Sequence, residues 1–325
     1  MRMMRVSFMV LVGVFVLGLA IVQAQEKPLT LTAADVVAPD AHLGRSMDFF
    51  AKKVEELSGA RVKVTVFHGG ALGGERDILE NVRNGSIHFA APGTAILGIW
   101  YRPAEINVYP YLFKDEAHKD RVWDKWMPEF SAELEKAGNF KALAQFARPP
   151  RNLSSNKPVR TVEDMKGLKI RVPETKLWIE TFKRFGASPT AMAFPEVYTG
   201  LKTKIIDGQE NDILNTFPSG FFEVNKYYSL IQHMMQDNLL VTNASWFAGL
   251  PQPVKDAILK ASQETVAYCR QLSQSEERRL YQRAKDEFKV EIIEPDLTGF
   301  RKATDGLINE FSYVKKWYDF ATSVK

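Results

Sequence analysis

Between Leu29 and Ala91 the chain alternates two hydrophobic periods, and this constrains its fold more than any other feature. Leu29–Val37 reads as a strand. His42–Leu57 carries Leu43, Met47, Phe50, Val54 and Leu57 at helical spacing and closes on Ser58-Gly59. Val62, Val64 and Val66 alternate with other residues as a strand does. Glu75–Arg83 reads as a short helix stopped by Asn84-Gly85, and Ile87–Ala91 as a third strand. A strand–helix–strand–helix–strand order implies a parallel sheet with helices on its faces.

The same alternation continues. Helices are expected at Ala117–Ala137, Lys176–Phe185 and Glu196–Lys204, and strands at Phe140–Phe146 and Leu168–Val172. Extended pieces are expected at Thr190–Ala193 and Ile205–Gln209. The C-terminal part reads as mostly helical. Pro253 to about Phe288 has no interior proline or glycine, a length that suggests a helix crossing between two lobes. Leu297 to about Thr322 reads as another helical stretch with Phe300, Leu307, Phe311 and Trp317 as its buried stripe.

The first residues have a different logic. Arg2 and Arg5 precede an uncharged apolar run, Val6–Val22, which exits through Val22-Gln23-Ala24. That order reads as a secretory signal, residues 1–24, cut after Ala24, which implies export; an uncleaved N-terminal anchor is the alternative, because the apolar run approaches the length that spans a bilayer. Across the chain, 43 basic residues are interleaved with 39 acidic ones for a formal charge of +4, which argues against a nucleic-acid partner. With 45% apolar residues in 325, the chain has ample material for a core. The single cysteine, Cys269, excludes an intramolecular disulfide and a cysteine-rich metal site, and it lies in a helical pattern that suggests packing. The histidines His42, His68, His88, His118 and His233 lack metal-binding spacing, and no nucleophile motif is present. No metal, cofactor or catalytic set is expected. Gly69–Gly74 follows a strand and opens a helix, but it lacks the spaced glycines of a dinucleotide loop; it reads as a flexible loop beside a cleft.

One constellation carries chemistry. In Leu168–Val172 the alternation puts Leu168, Ile170 and Val172 on one face and Lys169 and Arg171 on the other, and Pro173 ends the strand. Arg171 therefore stands at the carboxyl end of a strand, where open α/β sheets bind ligands. A guanidinium fork matches a carboxylate with two parallel bonds, a geometry that lysine cannot reproduce. Arg148 and Arg151 flank Pro149-Pro150 upstream; Arg148 reads as structural.

Taken together, Val162-Glu-Asp-Met-Lys-Gly-Leu-Lys-Ile-Arg-Val-Pro173, Gly186-Ala-Ser-Pro-Thr190, Phe194-Pro-Glu-Val-Tyr198 and Asp207-Gly-Gln-Glu-Asn211 resemble the extracytoplasmic solute receptors of TRAP transporters, of the DctP type. Phe49-Phe-Ala-Lys-Lys-Val54, Leu72-Gly-Gly-Glu-Arg76 and the long C-terminal helices also fit, so the likeness spans the mature chain. The resemblance implies a two-lobed α/β periplasmic-binding-protein-like fold with a central cleft, C-terminal helices crossing the lobes, and no enzymatic activity. Residues 25–148 with about 237–276 would form one lobe, and about 149–236 with 277–325 the other. Its partners would be a small-molecule carboxylate and the membrane subunits of a TRAP permease, with the receptor a monomer. By position, Arg171 matches the arginine that clamps the ligand carboxylate, Arg151 a second arginine, Asn211 a hydrogen-bonding amide and Phe194 an aromatic lining. Glu75 matches the facing loop.

Sialic-acid receptors of this family carry an acid after the third strand, whereas Ala91-Pro-Gly-Thr94 has none. A sugar acid, uronate or aldonate, is slightly favoured, with a C4-dicarboxylate or a 2-oxo acid as rivals. An exported enzyme acting on a carboxylate and the receptor of an ABC importer are the alternative classes.

Overall fold

A computed structural model describes residues 28–325, so the expected leader lies outside the described residues. The elements run β1 (Leu29–Ala34), α1 (His42–Leu57), β2 (Val62–Phe67), α2 (Glu75–Asn84), β3 (Phe89–Ala90), α3 (Glu116–Gly138) and β4 (Phe140–Phe146). Then come β5 (Arg151–Ser155), β6 (Lys169–Val172), α4 (Lys176–Arg184), β7 (Ser188–Ala191), α5 (Val197–Lys202), β8 (Gly208–Asn211), α6 (Ile213–Thr216) and α7 (Phe221–Val224). The chain closes with β9 (Tyr227–Met234), β10 (Asn238–Asn243), α8 (Ala244–Gly249), α9 (Gln252–Phe288), β11 (Glu291–Ile293), α10 (Leu297–Ala303) and α11 (Lys315–Ser323).

Two mixed sheets result. The first has the order β2-β1-β3-β10-β4 and the second β11-β9-β5-β8-β6-β7. As the alternating periods imply, β1 pairs in parallel with β2 and β3. Leu43, Met47, Phe50 and Val54 of α1 are all buried. Each such side chain contributes roughly 1.5–3 kcal/mol when removed from water. In the second sheet β6 is parallel to both β7 and β8, which leaves Arg171 near the carboxyl end of a parallel trio.

The chain passes between the sheets through two adjacent crossovers, 147–150 and 235–237, and again along α9. The first half of α9 stacks Tyr268 on Phe49 of α1, with ring centroids 4.2 Å apart; its second half sets Phe288 against Phe217, 5.6 Å away. Cys269 is buried in that first half.

Three points refine the expectations. First, the C-terminal part is mostly helical as expected, but it also contributes strands that the pattern did not reveal: β9 pairs antiparallel with β5 in the second sheet and β10 antiparallel with β4 in the first, and β5 follows directly on Arg148-Pro-Pro. Second, Leu297–Thr322 is not one stretch. It breaks after Ala303, and Gly306 turns the chain with φ +71°. Third, residues 277–325 do not all stay with the second sheet. Trp317 returns to the first, where its Nε1 donates to Tyr101 Oη at 2.9 Å and its ring meets Trp126 and Phe130 of α3. Burying that indole against the α3 aromatics draws the last helix back across the molecule.

A candidate carboxylate-binding cleft

A cavity lies between the sheets, about 520 Å³ when its opening to solvent is counted. The second sheet and its helices contribute Arg151, Arg171, Trp178, Phe194 and Asn211 to the lining; the first side contributes Glu75, Gly93 and Asn238. Arg148 and Gln236, one from each crossover, join them. Val36, Val37, Leu43 and Ile96 add an apolar portion. The five residues singled out from the sequence, Arg171, Arg151, Asn211, Phe194 and Glu75, thus line one cavity.

The arginines are not equivalent. Arg151 opens β5 and faces Glu210 of β8, because the two strands pair antiparallel. Its Nε donates to Glu210 Oε2 at 2.6 Å, and its Nη2 donates to Oε1 and to the Glu210 carbonyl, each at 2.7 Å. Its guanidinium also lies 4.8 Å from the Trp178 ring centroid. Burial pushes the Glu210 carboxyl up, but Arg151 and His233 outweigh burial and hold it below its ordinary value. Arg148 is likewise paired. Its Nε donates to Asp212 Oδ2 at 2.8 Å, and its Nη2 to the same oxygen and to Asn211 Oδ1.

Arg171 differs. It is 3% exposed, and its Nε donates to the Met192 carbonyl at 2.8 Å. Phe194 sits 5.7 Å from the guanidinium. Among the described residues no carboxylate forms an ion pair with it. Burial pushes its pKa down to about 10, against the opposing pull of Glu210 and Glu75, so it stays charged at neutral pH. Taking an ion out of water costs several kcal/mol unless a partner compensates it.

Glu75 opens α2, where its Oε1 accepts from the Gly93 amide at 2.8 Å. Burial pushes its carboxyl up, and Arg171 is the strongest cation opposing this. Other lining residues carry buried polar atoms without a hydrogen-bond partner among the described residues: Thr175 Oγ1, Trp178 Nε1, Asn215 Oδ1 and Asn238 Oδ1. Such atoms cost about 1–3 kcal/mol each unless something pairs with them. Sequence reading missed these four. Trp178 and Asn215 fall on helix faces with no distinguishing spacing, and Asn238 begins a strand that the pattern did not reveal. No group of three or more metal-ligating side chains occurs among the described residues.

Two sheets joined by paired crossovers, with a cation-lined cavity between them, define a two-lobed solute-binding protein. Residues 33–314 match the profile of the bacterial extracellular solute-binding proteins, family 7, and the chain belongs to that family. It is 32% identical over 267 residues to the sialic acid-binding periplasmic protein SiaP of Vibrio cholerae, covering 82% of this chain and 83% of that one. It is 34% identical over 246 residues to the 2,3-diketo-L-gulonate-binding periplasmic protein YiaO of Escherichia coli, covering 75% and 74% respectively. A TRAP periplasmic solute-binding protein of Xanthobacter autotrophicus, crystallised with β-D-galacturonate, superposes with a TM-score of 0.86 at 28% identity, over 90% of this chain and 98% of its own. The family consists of periplasmic receptors for acid ligands that serve TRAP permeases; its members are not enzymes.

Proposed function

We propose that this chain captures a sugar acid of the uronate or aldonate kind in the periplasm, closes over it, and presents it to a TRAP permease as a monomer. The observation that carries the reading is the inequality of the arginines: Glu210 and Asp212 pair with Arg151 and Arg148, whereas among the described residues no carboxylate forms an ion pair with Arg171. That leaves room for one carboxylate. A second carboxylate would meet Glu75 with no free cation, which disfavours a dicarboxylate, whereas hydroxyl groups suit Glu75 and the four unpaired polar atoms. The absence of an acid in Ala91–Thr94 further argues against sialic acid.

A thermal-shift panel of D-galacturonate, D-glucuronate, L-galactonate, succinate, 2-oxobutyrate, N-acetylneuraminate and D-galactose tests this. At a hundredfold excess over Kd, a ligand that binds only the native state stabilises it by about 2.7 kcal/mol. Uronates or aldonates are expected to raise the unfolding temperature and galactose to leave it unchanged. A response to succinate alone would reject the sugar-acid reading, and no response to any acid would reject the receptor reading.

We further propose that residues 25–148 with 237–276 move as one lobe and 149–236 as the other, and that Gly69–Gly74 is a lip of the closed cleft. Gly70 has φ +72°, and a Cβ there would lie 2.6 Å from Pro195 Cγ on the opposite side. Amides of Gly69 and Gly70 donate to the carbonyls of Val37 and Asp35, which pins the loop to the end of β1. Gly70→Ala is expected to lower sugar-acid affinity roughly tenfold, about 1.4 kcal/mol. Gly59→Ala is the control: its φ is +61° but nothing lies near its Cβ. Both variants carry a left-handed backbone cost of about 1–2 kcal/mol. Calorimetry should show an affinity loss only for Gly70→Ala; equal affinities would remove the lip assignment.

A further inference from the structure

We infer that Arg148 is a positioning residue of the ligand site, one that fixes the Asn211 amide for carboxylate binding and ties it to the inter-lobe crossovers. The inference rests on the reading that the ligand carries a carboxylate. Neither spacing nor family position assigns Arg148 this role.

Arg148 is 6% exposed and lies in the first crossover. Its Nη2 donates to Asn211 Oδ1 at 2.6 Å, and the Asp212 amide donates to the same oxygen at 3.1 Å. An arginine N–H and a backbone N–H can only donate, so the Asn211 atom that meets both must be its oxygen. The amide is therefore held in one of its two orientations, with Nδ2 left free. A carboxylate only accepts, so it needs that nitrogen. Without Arg148, a half-turn of the amide would point Oδ1 at the ligand, two acceptors face to face.

Arg148 is itself held from several sides. Asp212 takes its Nε at 2.8 Å, the Asp237 carboxylate takes its backbone N–H at 3.0 Å, and Lys119 Nζ donates to its carbonyl at 3.2 Å. Asp237 belongs to the second crossover. One residue thus connects both crossing strands with the amide, its backbone N–H through Asp237 and its side chain through Asn211, so a lobe motion that bends the crossovers moves the guanidinium and Asn211 together.

A double-mutant cycle tests the coupling. D-galacturonate affinity is measured by calorimetry for wild type, Arg148→Met, Asn211→Ala and the double variant, with L-galactonate as a second probe. Arg148→Met is expected to weaken binding at least tenfold alone but less than threefold in the Asn211→Ala background. Arg148→Lys should restore part of the loss, because its ammonium can still donate to Oδ1. This variant keeps a charge beside Asp212, so it completes the same cycle if Arg148→Met does not fold. Equal losses in both backgrounds would overturn the inference while leaving the receptor reading intact. Failure of the wild type to bind either acid or any other on the panel would remove the receptor reading, and the inference with it.

Discussion

Arg171→Ala is expected to lower affinity for a sugar acid at least a hundredfold, and Arg171→Lys at least tenfold. Among the described residues the guanidinium donates one hydrogen bond, Nε to the Met192 carbonyl, and forms no ion pair. Two charge-assisted bonds to a ligand carboxylate contribute roughly 1.5–3 kcal/mol each. Lysine keeps the charge but loses the fork, so part of that contribution survives. The ligand-free protein should respond in the opposite sense. Alanine removes a buried uncompensated charge and breaks no ion pair, so the unliganded unfolding temperature should hold or rise. An arginine with a purely structural role would show the reverse, stability lost and affinity kept. Near-wild-type affinity in calorimetry would remove Arg171 from the site.

Asp237→Asn is expected to cost the folded protein about 3–5 kcal/mol, the range for breaking a buried pair while leaving its partner charged. Asp237 is fully buried and Lys119 1% exposed, with Nζ 2.6 Å from Oδ1. The same carboxylate accepts from Gln145 Nε2 and the Arg148 amide. Asparagine keeps the shape but not the charge, and one face of it would present donors to donors. The Arg160–Glu291 pair supplies the contrast: its side chains are 59% and 49% exposed. Arg160→Ala should cost less than about 1 kcal/mol, as exposed pairs do. Urea unfolding read by linear extrapolation separates the two. A loss below 1 kcal/mol for Asp237→Asn would mean that the crossovers do not depend on this carboxylate.

The sequence by itself determined the elements whose signal is local. Apolar spacing along α1 and alternation in β2 specify helix and strand because each period places one face against the core, and the parallel first three strands follow from that order. Alternation plus Pro173 put Arg171 at a strand end, and the motif order pointed to the family. The tertiary structure decided what depends on distant residues. Tyr227–Met234 is a strand because β5 and β11 flank it, and α11 crosses back because Trp317 finds its slot on α3. Above all, the fold decided how Arg148, Arg151 and Arg171 are partnered. Glu210 and Asp212, 59 and 64 residues beyond their partners, pair with Arg151 and Arg148, and among the described residues Arg171 has no such pair. Which cation is free depends on which carboxylate lies within hydrogen-bonding distance, and that distance is fixed by strand pairing rather than by sequence spacing.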